Sequence, residues 1–400
     1  RAISGERLLG LISKSDHTSV DSIHHQKSFS GFEFQGILAF RDPVRPSVKE
    51  AILRIKEQGI RTIMVTGDHQ GTAESVAREV GLVDGVCRVI TGQELALLSP
   101  AELAMHADQT NVYARITPSQ KELLVKLYQK KGEIVAVTGD GINDAPALEA
   151  ADIGVAVGSG TDVTKSAADL VILDDNFETI VSAIEEGKRI LQNIRKVVVY
   201  LLSNSFDEVF LIGGSLVLGI ALPLNALQIL FVNFFCDSFP AIGFAFERHD
   251  AEFSRQVSHT KNLLFDRAMK IFILVIGIST SFLLFVLYAS LLRLGFDEAL
   301  VRTFIFASFA SYTLLLSFSL RSFEKSIFMY NPFSNIYLTG GVLFGLLMTL
   351  LAIYLPALQQ VFKTISLPFG WALGVAGVGL FNIVLIEVVK VFMRSEKMRR

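Results

Sequence analysis

The order of hydrophobic and polar positions divides the chain into two parts. Up to about residue 195, short β-branched runs alternate with stretches of helical composition, and long uncharged runs begin only after that point. The β-branched runs are residues 60–65, 112–116, 134–137, 153–157 and 170–173, and the clearest helical stretches are 46–58 and 118–130. Strands that alternate with helices predict a Rossmann-like α/β domain with a mostly parallel sheet, whose ligands bind beyond the carboxyl ends of the strands.

The second part carries hydrophobic runs that are long enough to cross a membrane. Residues 209–236 are uncharged over 28 positions, with the turn-prone segment 222–225 in the middle, which predicts two helices joined by a short loop. Further apolar runs are residues 271–292, 303–320, 336–358 and 364–386. At about 20 residues per span, the pattern predicts an all-α membrane domain of six transmembrane helices.

The distribution of basic residues between the short loops predicts the orientation of these spans. One side of the membrane receives twelve Lys and Arg residues, and the other receives three, Arg293, Arg302 and Lys363. The twelve are Arg248, Arg255, Lys261, Arg267, Lys270, Arg321, Lys325, Lys390, Arg394, Lys397, Arg399 and Arg400. Because basic loops stay in the cytoplasm, we expect both the α/β domain and the C-terminus to be cytoplasmic.

Composition narrows the class of protein further. Hydrophobic residues make up 51% of the chain and the mean hydropathy is +0.46, which indicates a membrane protein. The 37 basic and 39 acidic residues balance, so no basic field indicates a nucleic-acid partner. Two cysteines, Cys87 and Cys236, exclude a disulfide framework and a multi-cysteine zinc fold. The chain begins at Arg1 rather than Met, from which we expect it to be part of a longer protein.

Two of the predicted strands end in the same tripeptide, Thr-Gly-Asp, at residues 66–68 and 138–140. The second tripeptide continues into the heptad 140–146, Asp-Gly-Ile-Asn-Asp-Ala-Pro. Its carboxylates, Asp140 and Asp144, can bind Mg²⁺ directly or through water, and Asn143 adds a neutral oxygen. An Asp-Gly turn followed by a capping Asp is the purely structural alternative, and the complete heptad favours the metal site.

Further groups suited to phosphate binding lie near the same strand ends. Thr66, Gly67 and Asp68 offer a hydroxyl and exposed amides just before a predicted helix, which suits a phosphoryl oxygen. Lys121, just inside the helix that Pro118 opens, can reach such a phosphate as a point charge. Taken singly, the first group would be a helix cap and the second a solvated lysine. Together with the heptad they predict a Mg²⁺-assisted phosphoryl-transfer site.

Polar residues inside the first two predicted spans indicate a cation site, because ionisable groups are costly in a membrane unless they face a partner or a cavity. Asn204, Asp207 and Glu208 have the spacing of one helical face on the first span. Asn233 and Asp237 repeat a four-residue spacing on the second span. Their carboxylate and amide oxygens suit a hard cation. The alternative for the carboxylates of the first span is a position at the cytoplasmic water line.

A proline beside this set predicts a further oxygen ligand. Pro240 lacks the amide hydrogen that would bond the carbonyl oxygen of Cys236, so this oxygen is freed next to Asp237. The later span 303–320 contains no carboxylate, which favours one cation site over two. We interpret Glu387, near the end of the last span, as an interfacial or packing charge.

Four motifs, in fixed order, resemble those of the P-type ion-pumping ATPases. They are residues 42–45 (Asp-Pro-Val-Arg), 64–68 (Met-Val-Thr-Gly-Asp), 114–118 (Ala-Arg-Ile-Thr-Pro) with Lys121, and 137–148 around the heptad. The resemblance implies the tail of a nucleotide-binding domain at 1–30, a haloacid dehalogenase-like phosphorylation domain and stalk at 31–195, and a transmembrane domain at 196–400. It also implies ATP and Mg²⁺ as cofactors.

The same resemblance implies roles for the motif residues. Asp140 would bind Mg²⁺, and the groups assigned to phosphoryl transfer are Thr66, Gly67, Asp68, Lys121, Asn143 and Asp144. The groups assigned to cofactor binding are Arg115 and, at the hinge to the nucleotide domain, Asp42 and Arg45. Residues 158–163 (Gly-Ser-Gly-Thr-Asp-Val) also resemble the family, and no chemistry is assigned to them.

The resemblance also bears on the cation. Calcium-pump-like members carry Asn and Glu on the first of these two spans and Asn and Asp on the second. Asn233 and Asp237 match the second span, with Cys236 where a Thr is common. The first span is ambiguous by one residue, which leaves two alternatives for its ligands: Asn204 with Asp207, or Ser205 with Glu208. Ca²⁺ is the first choice of ion, and sodium, manganese and protons remain open.

One departure from the family limits what this chain does alone. The phosphoryl acceptor of the family is an Asp in an Asp-Lys-Thr-Gly-Thr stretch, and no such pentapeptide occurs between Arg1 and Arg400. We therefore expect the C-terminal half of an ATP-driven cation pump, inactive without a missing N-terminal half. The alternative is a non-catalytic pump remnant or membrane regulator. A membrane-tethered phosphatase would also need a nucleophilic Asp on a first strand.

Overall fold

A computed structural model of the protein describes residues 7–13, 32–40, 43–247, 265, 267–323 and 325–398. The chain forms two compact units, Arg1–Glu185 and Glu186–Arg400. Strands occur in the first unit, and the described part of the second unit is helical. This arrangement confirms the predicted fold class, an α/β domain followed by a membrane domain.

The described residues of the first unit form two parallel sheets and one antiparallel pair. The strands are β1 (Arg7–Ser13), β2 (Glu33–Phe40), β3 (Met64–Val65), β4 (Val89–Thr91), β5 (Val112–Ala114), β6 (Ala136–Gly139), β7 (Ile153–Val157) and β8 (Leu170–Ile172). Strands β1 and β2 pair antiparallel, whereas β3-β5-β4 and β6-β7-β8 are the orders of the parallel sheets. The sequence did not predict β1, β2 or β4, and the other five strands lie within or next to the predicted runs.

Helices of the first unit begin where the sequence offers caps. They are α1 (Pro46–Glu57), α2 (Gln70–Glu79), α3 (Gly92–Leu97), α4 (Pro100–Ala107), α5 (Pro118–Lys130), α6 (Ala145–Ala150) and α7 (Asp162–Ala167). Reciprocal capping boxes start α3 at Thr91, α4 at Ser99 and α5 at Thr117. Proline in the first turn of α4 and α5 fixes the backbone angle that a helix needs.

Helix α8 (Phe177–Leu218) begins in the first unit and ends in the second as one uninterrupted helix of 42 residues. The second unit continues with α9 (Ala226–Phe231), a π-helical segment (Val232–Ser238), α10 (Phe239–Ala245), α11 (Arg267–Arg293), α12 (Glu298–Ser319), α13 (Ile336–Tyr354), α14 (Pro356–Phe362) and α15 (Phe369–Met398). Six stretches among them are long and apolar enough to span a membrane, which confirms the predicted number.

Several span boundaries differ from the sequence prediction, and proline explains two of them. The fifth span ends at Tyr354 rather than near 358, because Pro356 opens the separate helix α14. The sixth span begins at Phe369, directly after Pro368, rather than at Thr364. The Thr364 hydroxyl instead donates to the carbonyl oxygen of Ala352 over 2.5 Å. Helix α12 is the most buried of the six spans.

A buried ion pair fastens the ends of three spans. Glu247, just beyond α10, accepts two hydrogen bonds from the guanidinium of Arg321, at 2.9 and 2.7 Å, just beyond α12. Asn335, the cap of α13, donates to the same carboxylate over 3.0 Å. Burial alone raises the pKa of Glu247, but the hydrogen bonds from Arg321 and Asn335 outweigh it and lower this pKa below its ordinary value.

A second buried pair lies within α15. Lys390 is 2% exposed, and its ammonium group donates to Glu387 over 2.7 Å and to the carbonyl oxygen of Ser319, the last residue of α12, over 2.7 Å. Glu387 also accepts from the amide of Ile327 over 3.1 Å. Lys390 is therefore a buried residue that interacts with the C-terminal end of α12, and not the loop charge that the sequence predicted. Glu387 has the packing contacts that its sequence position suggested.

Candidate phosphoryl-transfer and cation sites

The first strand end, after β3, is a tight turn built from its own polar groups. The Thr66 hydroxyl donates to the carboxylate of Asp68 over 3.0 Å and accepts from the Asp68 amide over 3.1 Å. Gly67 and Asp68 are exposed, and the His69 ring caps α2 by accepting from the Gly71 amide over 3.2 Å. The turn therefore presents a hydroxyl, a carboxylate and backbone amides at the carboxyl edge of the sheet.

The next strand end, after β5, is bound to this turn through the backbone. The Arg115 amide donates to the Asp68 carbonyl and the Ile116 amide donates to the Thr66 carbonyl, each over 3.0 Å. Arg115 adopts φ +53°, a left-handed conformation that costs a residue with a side chain about 1–2 kcal/mol. A Cβ atom on Gly92 would lie 2.3 Å from the Arg115 carbonyl oxygen, so glycine is required there. The Arg115 side chain itself is exposed.

An ion pair joins the strand ends of the two parallel sheets. The ammonium group of Lys121, in the first turn of α5, pairs with the carboxylate of Asp144, which follows β6, and both side chains are largely buried. Asp144 also accepts from the Gly141 amide over 3.2 Å. A Cβ atom on Gly139 would lie 2.5 Å from Cβ of Asp144, so Gly139 makes room for this carboxylate. The structure thus brings Lys121 and Asp144 together, as a shared phosphate and metal site would require.

The carboxylate of Asp140 is exposed at the end of β6, beside the exposed Asn143. Its backbone is held by the loop after β7, in which the Thr161 amide donates to the Asp140 carbonyl over 3.1 Å. A Cβ atom on Gly160 would lie 3.2 Å from that same carbonyl oxygen. The loop 158–163 therefore supports the backbone of Asp140. The sequence had indicated no chemical role for these residues. One accessible carboxylate at a strand end fits Mg²⁺, which takes few protein ligands and keeps waters and phosphate oxygens.

Of the predicted cofactor-binding residues at the hinge, only Arg45 is described, and Asp42 lies outside the described residues. The Arg45 guanidinium donates to the carbonyl oxygen of Asp175, beyond β8, over 2.7 Å. The Asp175 carboxylate accepts from the Ser159 amide over 2.9 Å, and hydrogen bonds from Ser159 lower the pKa of Asp175. Arg45 is thus connected to the loop that supports Asp140.

The second span is interrupted by the π-helical segment Val232–Ser238, which contains both predicted ligands of this span. The Ser238 hydroxyl donates to the Asn233 carbonyl over 2.8 Å, five residues earlier. Pro240 cannot bond the carbonyl of Cys236, and the hydroxyl of Tyr200 on α8 donates to this oxygen instead, over 2.7 Å. The widened turn re-aims side chains, as such turns often do at functional sites.

Polar groups of α8 and of the π-helical segment line a cleft of about 520 Å³ in the second unit. Its lining residues are Leu201, Ser205, Glu208, Asn233, Asp237, Ser238, Ala241 and Ile242. Asn233 and Glu208 line this cleft from two different helices. Asn204 is buried behind the cleft and donates to the Asp237 carboxylate over 2.8 Å. Of the two alternatives for the first span, Ser205 and Glu208 therefore line the cleft.

The Asp207 carboxylate contacts a different span from Asn204 and Glu208, although their spacing predicted one face. Its carboxylate accepts from the hydroxyl groups of Thr280, over 3.0 Å, and Ser281, over 2.6 Å, both on α11. Adjacent residues of a helix point about 100° apart, so packing against α11 can separate Asp207 from Glu208. Thr280 and Ser281 could not be singled out from the sequence, because hydroxyl residues in a span are too common to indicate a site.

Carboxylates, histidines and cysteines alone do not form a metal site here. Within the described ranges of the chain, no group of three or more His, Cys, Asp or Glu side chains could hold a metal ion. Any cation in the cleft would therefore need amide and hydroxyl oxygens beside its two carboxylates, which is the donor set of a hard cation.

The fold and these sites define a class of protein: a haloacid dehalogenase-like domain with polar strand ends, followed by six candidate membrane spans that enclose buried carboxylates. Comparison with family models agrees with this class. Residues 7–152 match the model described as haloacid dehalogenase-like hydrolase, and residues 221–392 match the model described as cation transporting ATPase, C-terminus.

Curated relatives match over most of the chain. A calcium-transporting ATPase 1 of Bacillus cereus is 38% identical over 99% of the chain, and a calcium-transporting ATPase of Bacillus subtilis is 40% identical over 84% of it. The human calcium-transporting ATPase type 2C member 1 is 37% identical over 91% of the chain. The chain belongs to the P-type cation-transporting ATPase family. It spans only 46%, 38% and 40% of the length of these three relatives.

Proposed function

We propose that the protein of which this chain forms part is an ATP-driven cation pump that passes through an aspartyl-phosphate, and that Ca²⁺ is its ion. The observation that carries the proposal is the pairing of two sites in one chain. Lys121 and Asp144 meet at the strand ends of the first unit, and Glu208 and Asp237 line one cleft between two spans of the second. The relatives named as calcium-transporting ATPases support the choice of ion.

The phosphoryl-transfer step rests on charge placement at the strand ends. Mg²⁺ would be held by Asp140 and would neutralise charge on the transferred phosphoryl group. Lys121 would contact the same group as a point charge, while Asp144 fixes the position of its ammonium. The Thr66 hydroxyl and the amides of Gly67 and Asp68 would bind the remaining phosphoryl oxygens. Arg45 and Arg115 would act on the nucleotide side, together with Asp42.

The cation would bind in the cleft through Glu208, Asn233 and Asp237, with Ser205 as a neutral oxygen beside them. Asn204 would act from behind, since its amide already holds the Asp237 carboxylate. Two carboxylates with amide and hydroxyl oxygens suit the charge and the oxygen preference of Ca²⁺. The carbonyl of Cys236 is engaged by Tyr200 and would stabilise the π-helical turn rather than bind the ion.

A missing part of the protein would complete both sites. The cleft is polar and open, and Ser205 and Asn233 are exposed, which in a bilayer would be costly unless further protein covers them. In the first unit, β3 and β6 are edge strands of the described sheets, so each could pair with one more strand. An N-terminal half would supply further spans, a nucleotide-binding domain and the acceptor Asp, and this chain would be inactive alone.

The orientation is part of the same proposal. The excess of basic residues on one side would place the first unit and the C-terminus in the cytoplasm, where ATP is available. Lys390 and Arg321 are buried, but they still count toward the same side of the membrane. The Lys390 ammonium donates to Ser319, the last residue of α12, and Arg321 follows directly after this end of the helix.

The experiment uses the full-length protein, identified by extending the coding sequence upstream of Arg1. In purified protein, Ca²⁺ should stimulate phosphorylation from radiolabelled ATP, and Asp237→Asn should abolish this stimulation because it removes one cleft carboxylate. Glu298→Gln, which changes an exposed carboxylate at the start of α12, is the matched control and should phosphorylate normally. Phosphorylation with unaltered Ca²⁺ dependence in Asp237→Asn would refute the cleft as the cation site. A start codon directly upstream of Arg1 would refute the proposal that an N-terminal half is missing.

A further inference from the structure

A buried carboxylate in the second unit has no charge partner. Asp207 is 1% exposed, and one of its oxygens, Oδ2, has no hydrogen-bond partner among the described residues. The charged groups that act on it are Asp237 and Glu208, which are both negative. Its other oxygen, Oδ1, is contacted by hydroxyl groups and not by a Lys, Arg or His of the described ranges. A carboxylate in this position is neutralised either by a proton or by a bound cation, because an isolated ion in an apolar interior is very costly.

The side chains around Asp207 are oxygen donors on two helices. Thr280 and Ser281 of α11 contact Oδ1 at 3.0 and 2.6 Å, and both are completely buried. Ser203 lies one turn before Asp207 on α8, is 1% exposed, and has a hydroxyl without a hydrogen-bond partner among the described residues. The cluster therefore combines one carboxylate with two hydroxyl groups that contact it and a third buried hydroxyl one helical turn away.

The two hydroxyl groups of α11 have a second acceptor each, and this allows two states. Thr280 also reaches the carbonyl oxygen of Ile276 over 2.6 Å, and Ser281 also reaches the carbonyl oxygen of Gly277. A hydroxyl has one proton, which it can give either to Asp207 or to the backbone. When both protons point to the backbone, the two hydroxyl oxygens beside Asp207 are free to act as ligands, which is what binding of a cation would require.

We propose that Ser203, Asp207, Thr280 and Ser281 form a second cation site, separate from the cleft, that binds a monovalent alkali cation of the sodium type. The number of carboxylates indicates a monovalent ion. A single carboxylate neutralises one positive charge and would leave half the charge of a buried divalent ion uncompensated. The donor atoms select the class, since hydroxyl and carboxylate oxygens suit hard cations. Glu208, adjacent in sequence, serves the cleft and not this site.

The test is binding of ²²Na⁺ to the purified full-length protein in detergent, in choline buffer with a chelator that removes Ca²⁺. Wild-type protein should bind close to one ²²Na⁺ per chain with saturation. Asp207→Asn keeps the shape of the side chain and removes its charge, so it should abolish this binding while ⁴⁵Ca²⁺ binding in the cleft persists. Ser281→Ala removes one neutral oxygen and should weaken ²²Na⁺ binding about tenfold. Ser308→Ala, which removes a completely buried hydroxyl of α12, is the matched control and should bind normally.

Melting of the same proteins gives a readout that does not depend on transport. Replacing choline chloride by sodium chloride at equal ionic strength should raise the melting temperature of wild-type protein and of Ser308→Ala, but not of Asp207→Asn. Wild-type protein that binds ⁴⁵Ca²⁺ but no ²²Na⁺ would overturn this second site and leave the proposed pump intact, with Asp207 carrying a proton. Equal ²²Na⁺ binding in wild type and Asp207→Asn would also overturn it. Absence of both ions would overturn the cleft as well.

Discussion

Removal of Arg321 should destabilise the membrane unit strongly, because this guanidinium holds several groups at once. It donates to Glu247 twice, to the carbonyl oxygens of Asn331 and Pro332 over 2.8 and 2.6 Å, and to the Ser334 hydroxyl over 2.7 Å. Both members of the ion pair are nearly buried, with side chains 8% and 7% exposed. Arg321→Ala leaves the Glu247 carboxylate without its cation.

The expected loss follows from this burial. Breaking a buried ion pair on one side costs about 3–5 kcal/mol. For a unit of roughly this size, each kcal/mol shifts the melting temperature by about 2–4 °C, so Arg321→Ala should melt about 6–20 °C lower. The matched control is Arg302→Ala, whose partner Glu298 lies 3.4 Å away on the surface of α12 with a half-exposed side chain. That pair should contribute about 0.5 kcal/mol or less.

The assay is the fluorescence of Trp371 during heating of the detergent-solubilised chain. Trp371 is the single tryptophan of this sequence, and its ring packs edge-on against Phe296 and Phe304, with centroids 5.3 and 5.2 Å apart. It therefore reports the packing of the membrane unit. A second variant, Arg321→Met with Glu247→Gln, removes both charges and should recover a large part of the loss, since no uncompensated charge remains.

The pH dependence supplies a check of the cause. The pKa of Glu247 is lowered in the folded protein, so its contribution to stability is complete above the ordinary glutamate range and is lost as the pH falls through the folded-state pKa. In Arg321→Ala, burial would raise the pKa of Glu247. The loss of stability caused by this unpaired carboxylate would then become smaller as acid protonates it. The difference in melting temperature between wild type and Arg321→Ala should therefore become smaller at acid pH. Equal melting of Arg321→Ala and Arg302→Ala, or a difference that grows in acid, would refute the reasoning.

Two further predictions concern the first unit. Gly139→Ala places a Cβ atom 2.5 Å from Asp144, so phosphorylation of the full-length protein should be lost, whereas Gly187→Ala, with open space around it, should phosphorylate normally; equal activity of the two would contradict the steric argument. Lys121→Ala should lower the phosphorylation rate about 100–1,000-fold, by analogy with loss of one charge-stabilising donor, while the surface variant Lys126→Ala should stay within about twofold. A small effect of Lys121→Ala in rapid-quench measurements would remove this residue from the site.

The sequence predicts which groups lie at the strand ends, because their positions are fixed by local chemistry. A strand followed by a glycine-containing polar turn puts its side chains at the carboxyl edge whatever the details of packing. The pairing of Lys121 with Asp144 adds information that spacing cannot give, since it depends on how two sheets meet. The need for glycine at positions 92, 139 and 160 follows from neighbouring carbonyl and carboxylate atoms, whose positions depend on the three-dimensional fold.

The cation site was less predictable because helical spacing leaves the direction of each side chain open. Asn204, Asp207 and Glu208 fit a broad stripe of one helix, and packing against two different spans divides this stripe. The π-helical segment adds a residue to one turn, which no simple periodicity reveals. Strand β4 was not predicted for another reason, since Val89–Thr91 lies between Arg88 and Gly92 and is not part of a longer apolar run.

The central proposal is that phosphoryl transfer, with Mg²⁺ held by Asp140, drives a cation through the cleft that Glu208, Asn233 and Asp237 line. The most direct measurement is ATP-driven uptake of ⁴⁵Ca²⁺ by liposomes that contain the full-length protein. The account predicts uptake by wild-type protein and none by Asp140→Asn, with ⁴⁵Ca²⁺ binding at equilibrium retained in this variant because the cleft is unchanged. Uptake by Asp140→Asn at the wild-type rate, or absence of ATP-driven uptake by the wild-type protein, would contradict it.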